Sequence, residues 1–135
     1  MIPEIARAIM RKYEGETSLK SALGGGLYFQ QAPQNATAPY GIFYFNGITQ
    51  DEIMGGADDS IQQIDLQFNI FSDKQDGGSE ISVLTDLFCD AYNWQDVYAS
   101  GWHYIKMQRE SILPIGFIDE IWQVTMMFSL WLQKE

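Results

Sequence analysis

The sequence has only one cysteine and one histidine among its 135 residues. The single cysteine, Cys89, excludes an internal disulfide and a cysteine metal cluster, and the single histidine, His103, excludes a site with several histidine ligands. The chain also lacks an uncharged apolar run of about 20 residues, which a membrane helix requires. Near the N-terminus, Glu4 and Arg7 interrupt any signal-peptide core. We therefore expect a cytoplasmic protein without a membrane segment, a metal or another cofactor.

Basic residues are scarce as well. Lys and Arg number 8 against 18 Asp and Glu, which gives a formal net charge of −10. Nucleic-acid-binding surfaces cluster Lys and Arg, and anionic membranes repel acidic surfaces. The charge balance therefore argues against both partners, and it fits either plain solubility or a basic protein partner. The length and the 46% hydrophobic content fit one folded domain over residues 1–135.

An alternating pattern within residues 61–73 is the clearest structural signal. Apolar and polar side chains alternate strictly from Ile64 to Ile70, which predicts a β-strand with one buried face. The predicted buried residues are Ile64, Leu66, Phe68 and Ile70. The opposite face carries Asp65, Gln67 and Asn69. Helices packed on the apolar face would complete a two-layer domain.

Helical spacing of apolar residues predicts one helix at the N-terminus and a second main helix that begins at Ser79, with Ser79 as its cap. A short helical turn over 17–23 ends at a glycine triplet, which we interpret as a corner because a strand, and no Lys-Ser or Lys-Thr pair, follows it. The remaining strands are predicted over residues 27–31, 40–48, 102–111 and 120–133.

Two connections differ sharply in polarity. Residues 51–59 form a polar turn that closes a hairpin, and its four acidic residues lack the spacing of a calcium loop. Residues 112–118 form an unusually apolar turn between the last two strands. This turn either folds back into the core or contacts a partner, since monomers seldom expose large apolar patches.

No grouping of residues indicates catalysis. His103 stands alone in a predicted strand, no serine lies in a nucleophile-elbow pattern, and no pair of carboxylates has an acid–base setting. We therefore expect a protein that is not an enzyme. Cys89 is expected to be a small core or boundary residue.

The order of elements resembles that of the tail-completion, or tail-terminator, proteins of long-tailed bacteriophages and prophages. The resemblance extends from the first helix to Trp131. It rests on Leu27-Tyr28 after the glycine corner, Ala32-Pro33, Pro39-Tyr40, the alternating 64–68 strand and the final strand over 122–131. This chain differs at residues 113–118, where relatives tend to carry a polar turn.

The resemblance implies an α+β fold, with a mainly antiparallel sheet and two main helices packed on one face. It also implies a homo-oligomeric ring, usually of six copies, that caps the tail tube and joins it to the head–tail connector. DNA would pass through the ring without specific binding, and the protein would reside in the virion after assembly in the host cytoplasm. The expected subunit or partner contacts are Leu113, Pro114, Ile115, Phe117, Ile118, Asp51, Glu52, Asp58 and Asp59.

Two alternatives remain open from the sequence. One is a head-side connector, or head-completion, protein of the same virion. The other is a small enzyme or ligand-binding domain, with a pocket between the second main helix and the sheet. Convergence of His103 and a carboxylate in such a pocket would favour the second alternative.

Overall fold

The structure is a computed structural model that describes residues 1–51 and 61–135. In chain order its elements are helix α1 (Ile2–Gly15), helix α2 (Thr17–Ala22), strand β1 (Leu27–Phe29), strand β2 (Tyr40–Asp51), strand β3 (Ile61–Ser72), helix α3 (Ser79–Tyr92), strand β4 (Trp102–Ile112), strand β5 (Gly116–Ile118) and strand β6 (Ile121–Lys134). This confirms the predicted α+β fold. No helix in the described ranges is long and apolar enough to cross a membrane.

One sheet contains all the described strands, in the order β1-β2-β3-β6-β4, with β5 paired to the first residues of β6. Every pairing is antiparallel except that of β1 with β2. The predicted hairpin of β2 and β3 is confirmed, from the pair Tyr40–Phe71 to the pair Asp51–Ile61. Strand β3 lies in the middle of the sheet, so its two faces define the two sides of the domain.

The two faces of β3 are those that the alternation predicts. Ile64, Leu66, Phe68 and Ile70 are all buried, whereas Asp65 is exposed on the opposite face. The helices cover the buried face, so that the domain has two layers with its core between them. The other face of the sheet carries no helix in the described part of the chain.

Aromatic rings fill the space between α3 and the sheet. The ring centroid of Phe68 lies 5.1 Å from that of Phe88, 4.8 Å from Tyr92 and 5.6 Å from Phe128. These separations are typical of packed aromatic pairs. The predicted alternative of a ligand pocket between this helix and the sheet is therefore wrong, because side chains occupy that space.

Helix α3 begins differently from the prediction. Gly78, and not Ser79, is the N-cap residue. The carboxylate of Asp76 accepts hydrogen bonds from the backbone N–H groups of Gly78, Ser79 and Glu80, at 3.2, 3.1 and 3.0 Å. Asp76 satisfies donors at the start of the helix from two residues before its cap, because Gly78 turns the backbone with a φ of +88°.

The glycine corner is confirmed, and its central residue has a clear steric role. A Cβ atom on Gly25 would lie 1.7 Å from the carbonyl oxygen of Thr37, so only glycine fits there. The Gly25 N–H also donates to the Pro39 carbonyl at 2.7 Å. The 30–39 loop thus packs directly against the corner and places β1 beside β2.

Several predicted boundaries need correction. Strand β1 ends at Phe29 because Gln30 has a φ of +68°, which is outside the extended region. Strand β2 continues to Asp51, three residues further than predicted, because its polar end still pairs with β3.

Candidate interaction surface

Residues 112–118 are not a turn. Strand β4 continues to Ile112, and after a three-residue break strand β5 pairs with β6 through Gly116–Gln123, Phe117–Trp122 and Ile118–Ile121. The reversal of the chain is at Asp119 and Glu120, whose φ values are +53° and +66°. Positive φ at both central residues is what a type I′ two-residue hairpin turn requires. The hairpin tip is therefore acidic, and the apolar residues lie along its sides.

We call residues 112–121 the apolar arm. Its side chains are exposed in the isolated chain: Ile118 by 70%, Phe117 by 46% and Leu113 by 45%. Ile112, Pro114, Ile115 and Ile121 are exposed as well. Of the two explanations left open by the sequence, burial of this segment in its own core is thus wrong, and an exposed apolar surface is what the chain has.

Phe117 is the one arm residue with a defined aromatic contact. Its ring stacks on Trp122, with centroids 4.5 Å apart and an interplanar angle of 22°. Trp122 packs against the core, and a Cβ atom on Gly78 would lie 3.4 Å from the Trp122 ring. At the tip, Gln75 Nε2 donates to the Glu120 carbonyl at 3.2 Å. These contacts fix the arm on the domain, so its shape is preformed.

The open face of the sheet is lined by a polar network. Asn46 Nδ2 donates to Gln67 Oε1 at 2.7 Å, and Gln67 Nε2 donates to Asn69 Oδ1 at 2.9 Å. Thr125 Oγ1 also donates to Asn69 Oδ1, at 3.0 Å. Ser129, which pairs with Asp65 on this face, is only 2% exposed, and it lies in a depression that Asn46, Asp65 and Glu110 also line.

The predicted acidic contacts cannot be placed with the arm. Asp51 is the last residue of β2, where its backbone pairs with Ile61. The structure does not describe the side chain of Asp51. Glu52, Asp58 and Asp59 lie outside the described residues. Of the nine residues expected to make contacts, the structure thus brings together Leu113, Pro114, Ile115, Phe117 and Ile118 on the arm.

The residues considered as candidates for catalysis or metal binding lie apart from one another. His103 is on the surface of β4, where its Nδ1 is 3.8 Å from Glu135 Oε1 and both side chains are more than half exposed. Cys89 is half-buried at the edge of the core, as expected, with Arg109 Nη1 at 3.9 Å from its Sγ. Within residues 1–51 and 61–135, no three or more His, Cys, Asp and Glu side chains are grouped as metal ligands.

A second exposed surface was not predicted from the sequence. Trp94 and Tyr98, in the connection between α3 and β4, are 59% and 67% exposed. Trp94 has a φ of +59°, and its N–H donates to the Met107 carbonyl at 2.8 Å. Arg11 Nη1 donates to the Tyr98 carbonyl at 3.2 Å, and its guanidinium carbon lies 5.3 Å from the Tyr98 ring centroid. Two aromatic residues in an otherwise polar connection were the available sequence signal.

No protein-family model matches the sequence, and no curated protein matches it. Solved structures do share the fold. One is described as "Virion of native gene transfer agent (GTA) particle", with a TM-score of 0.69 and 10% identity over 92% of this chain and 90% of that chain. A second, whose description states no function, has a TM-score of 0.66 and 11% identity over 96% and 95% of the two chains. At these identities the likeness shows the fold.

Proposed function

We propose that this protein is a structural subunit of a phage-like virion. In this role it forms a ring that caps the tail tube and joins the tail to the head–tail connector. The observation that carries the proposal is the likeness to a chain of a gene transfer agent virion, a phage-like particle, over 92% of this chain and 90% of that one. Near-complete coverage of both chains means that the whole domain, and not a shared fragment, has this architecture.

The chemistry of the described residues supports a structural role. The space between α3 and the sheet is filled by Phe68, Phe88, Tyr92 and Phe128. The one histidine and its nearest carboxylate lie on the surface. An interaction protein needs no catalytic group, but it needs a surface that gains stability when it is covered, and the apolar arm is such a surface.

The arm also has the features of a contact element. It is preformed by pairing with β6, so little conformational entropy is lost when it binds. Its exposed aliphatic and aromatic side chains are suited to packing against a neighbouring subunit or the tail tube. In the assembled ring, the net charge of −10 would repel DNA phosphates and let the genome pass without binding.

The test is electron microscopy of particles produced from the phage or prophage gene set with and without this gene. We expect tails of irregular length that are not joined to heads when the gene is absent, and normal particles when it is restored in trans. Tails of uniform length beside unjoined, DNA-filled heads would assign the protein to the head side. Normal joined particles without the gene would overturn the proposal.

A further inference from the structure

The distal part of the apolar arm, residues 116–120, and the surface around Trp94 lie too far apart to meet within one copy. Trp94 is hydrogen-bonded to Met107, which pairs with Leu130, whereas Phe117 of the arm pairs with Trp122. Leu130 and Trp122 are eight residues apart on β6, which corresponds to about 27 Å along an extended strand. Any contact between these two surfaces must therefore be made between two copies of the chain.

The surface around Trp94 has the composition of a binding hot spot. It consists of Tyr98, of Arg11 in contact with the Tyr98 ring, and of Trp94 four residues earlier in the same connection, and we call it the aromatic patch. Trp, Tyr and Arg are the residues most enriched among interface residues that dominate binding energy. A bulky residue with positive φ is uncommon, and such strain persists only where neighbouring contacts impose it. Here the Trp94 N–H bond to Met107 and the Asn93 Oδ1 bond to the Arg109 N–H, both 2.8 Å, impose it.

The acidic tip of the arm and the guanidinium of Arg11 in the aromatic patch are opposite in charge, and Asp96 and Glu16 lie beside Arg11 on the same surface. The arm ends in Asp119 and Glu120, so an acceptor for it must combine apolar area with positive charge. Positive charge is rare in this chain, and four of its 8 Lys and Arg lie within the first 20 residues. Two of these, Lys12 and Lys20, are paired with Glu16 and Glu14. The other six Lys and Arg residues form no ion pair within the described ranges. Among them, Arg11 lies against the exposed ring of Tyr98, whereas Lys106 lies over the half-buried ring of Trp131.

We propose that the apolar arm of one copy docks on the aromatic patch of the next copy. Phe117 and Ile118 would pack on Trp94 and Tyr98, and the acidic tip would approach Arg11. Because the two surfaces differ, the contact is head-to-tail, and repetition of such a contact gives a ring when the rotation closes. The inference rests on the proposed function, in that it supplies the contact by which the ring would form.

Cross-linking of two cysteine variants tests the contact directly. In a Cys89→Ser background, Ile118→Cys is mixed with Tyr98→Cys at high concentration and treated with a flexible bis-maleimide linker. The expected product is a heterodimer with one Ile118→Cys chain and one Tyr98→Cys chain. The matched control replaces Tyr98→Cys with Val83→Cys, which is 54% exposed on α3 and outside the aromatic patch. Heterodimer yields no higher than with this control would overturn the inference.

Charge reversal gives an independent readout in the particle assay. Arg11→Glu alone and Glu120→Arg alone are expected to reduce tail joining, and the double variant is expected to restore part of it. If both single variants support normal joining, the docking inference is wrong while the proposed function stands. If normal joined particles form without the gene, the proposed function is wrong, regardless of the cross-linking result.

Discussion

The hydroxyl group of Tyr92 on α3 donates a 2.8 Å hydrogen bond to the backbone carbonyl of Ile9 on α1. Both residues are fully buried, and the bond is a direct polar link between the two main helices. Burial also raises the pKa of the Tyr92 hydroxyl above its usual value. The folded chain therefore keeps this proton at a pH at which an unfolded tyrosine would lose it.

This link predicts a stability loss at alkaline pH. Because the pKa of Tyr92 is raised on folding, its contribution is fully present below the unfolded pKa of about 10 and is lost as pH rises above that value. We expect Tyr92→Phe to lower the unfolding free energy by about 1 kcal/mol at pH 8, through the lost hydrogen bond. The free energy of unfolding of the variant should also fall less than that of the parent between about pH 9 and pH 11, a range that spans the pKa of an unfolded tyrosine. Urea melts at several pH values measure this difference. Tyr98→Phe, at the surface, is the control, and an unchanged alkaline slope for Tyr92→Phe would contradict the assignment.

The two faces of β3 give a second prediction. Phe68 is fully buried among four aromatic rings, so Phe68→Ala should cost about 3–5 kcal/mol in denaturant melts. Gln67 lies on the open face, where it bonds to Asn46 and Asn69, so Gln67→Ala should cost about 1 kcal/mol or less. Equal losses for the two variants would mean that the buried face has been misassigned.

The alternation in β3 could be recognised without a structure because a period of two has one simple physical cause. Burial of one face selects apolar residues at Ile64, Leu66, Phe68 and Ile70 wherever the strand lies in the sheet. The parallel pairing of the three-residue strand β1 could not be recognised in the same way. It depends on the contact of the 30–39 loop with Gly25, which is a tertiary contact between distant residues.

The prediction that residues 112–118 form a turn was wrong. It rested on the apolar content of this segment, whereas the chain reverses at the two acidic residues that follow it. Asp119 and Glu120 are the only two residues available for a tight reversal between Ile118 and Ile121. The sequence did indicate that this segment was unusually apolar, which identified the arm as a candidate surface. For the aromatic patch the sequence signal was limited to Trp94 and Tyr98 in the connection after α3. The contact of Arg11 with Tyr98 depends on the packing of α1 on that connection.

The start of α3 gives a third prediction. Asp76 accepts three backbone hydrogen bonds there, so Asp76→Ala should lower the unfolding free energy by about 0.5–2 kcal/mol, the range for loss of a side-chain cap. Ser79→Ala is the matched control, because the Ser79 side chain does not cap the helix. Thermal melts of the two variants check the assignment, and a larger loss for Ser79→Ala would restore Ser79 as the cap.

The last prediction separates the arm's role in contacts from its role in the fold. Leu113 and Ile118 are 45% and 70% exposed, so the free energy of unfolding of the double variant Leu113→Ser, Ile118→Ser should lie within about 0.5 kcal/mol of the parent value. Phe117→Ser removes the stack on Trp122, and we expect an additional loss of about 0.5–1.5 kcal/mol from that contact.

Both variants are then examined by electron microscopy in the particle assay. Because the arm is proposed to be a contact surface, the double variant should fail to cap and join tails even though its melting curve is nearly unchanged. Ser100→Ala is the control for effects of introducing any substitution, because Ser100 is exposed and lies outside the arm and the aromatic patch. Normal particles with the stable double variant would remove Leu113 and Ile118 from the contact surface. A large loss of monomer stability would show instead that the exposed sides of the arm contribute to the core.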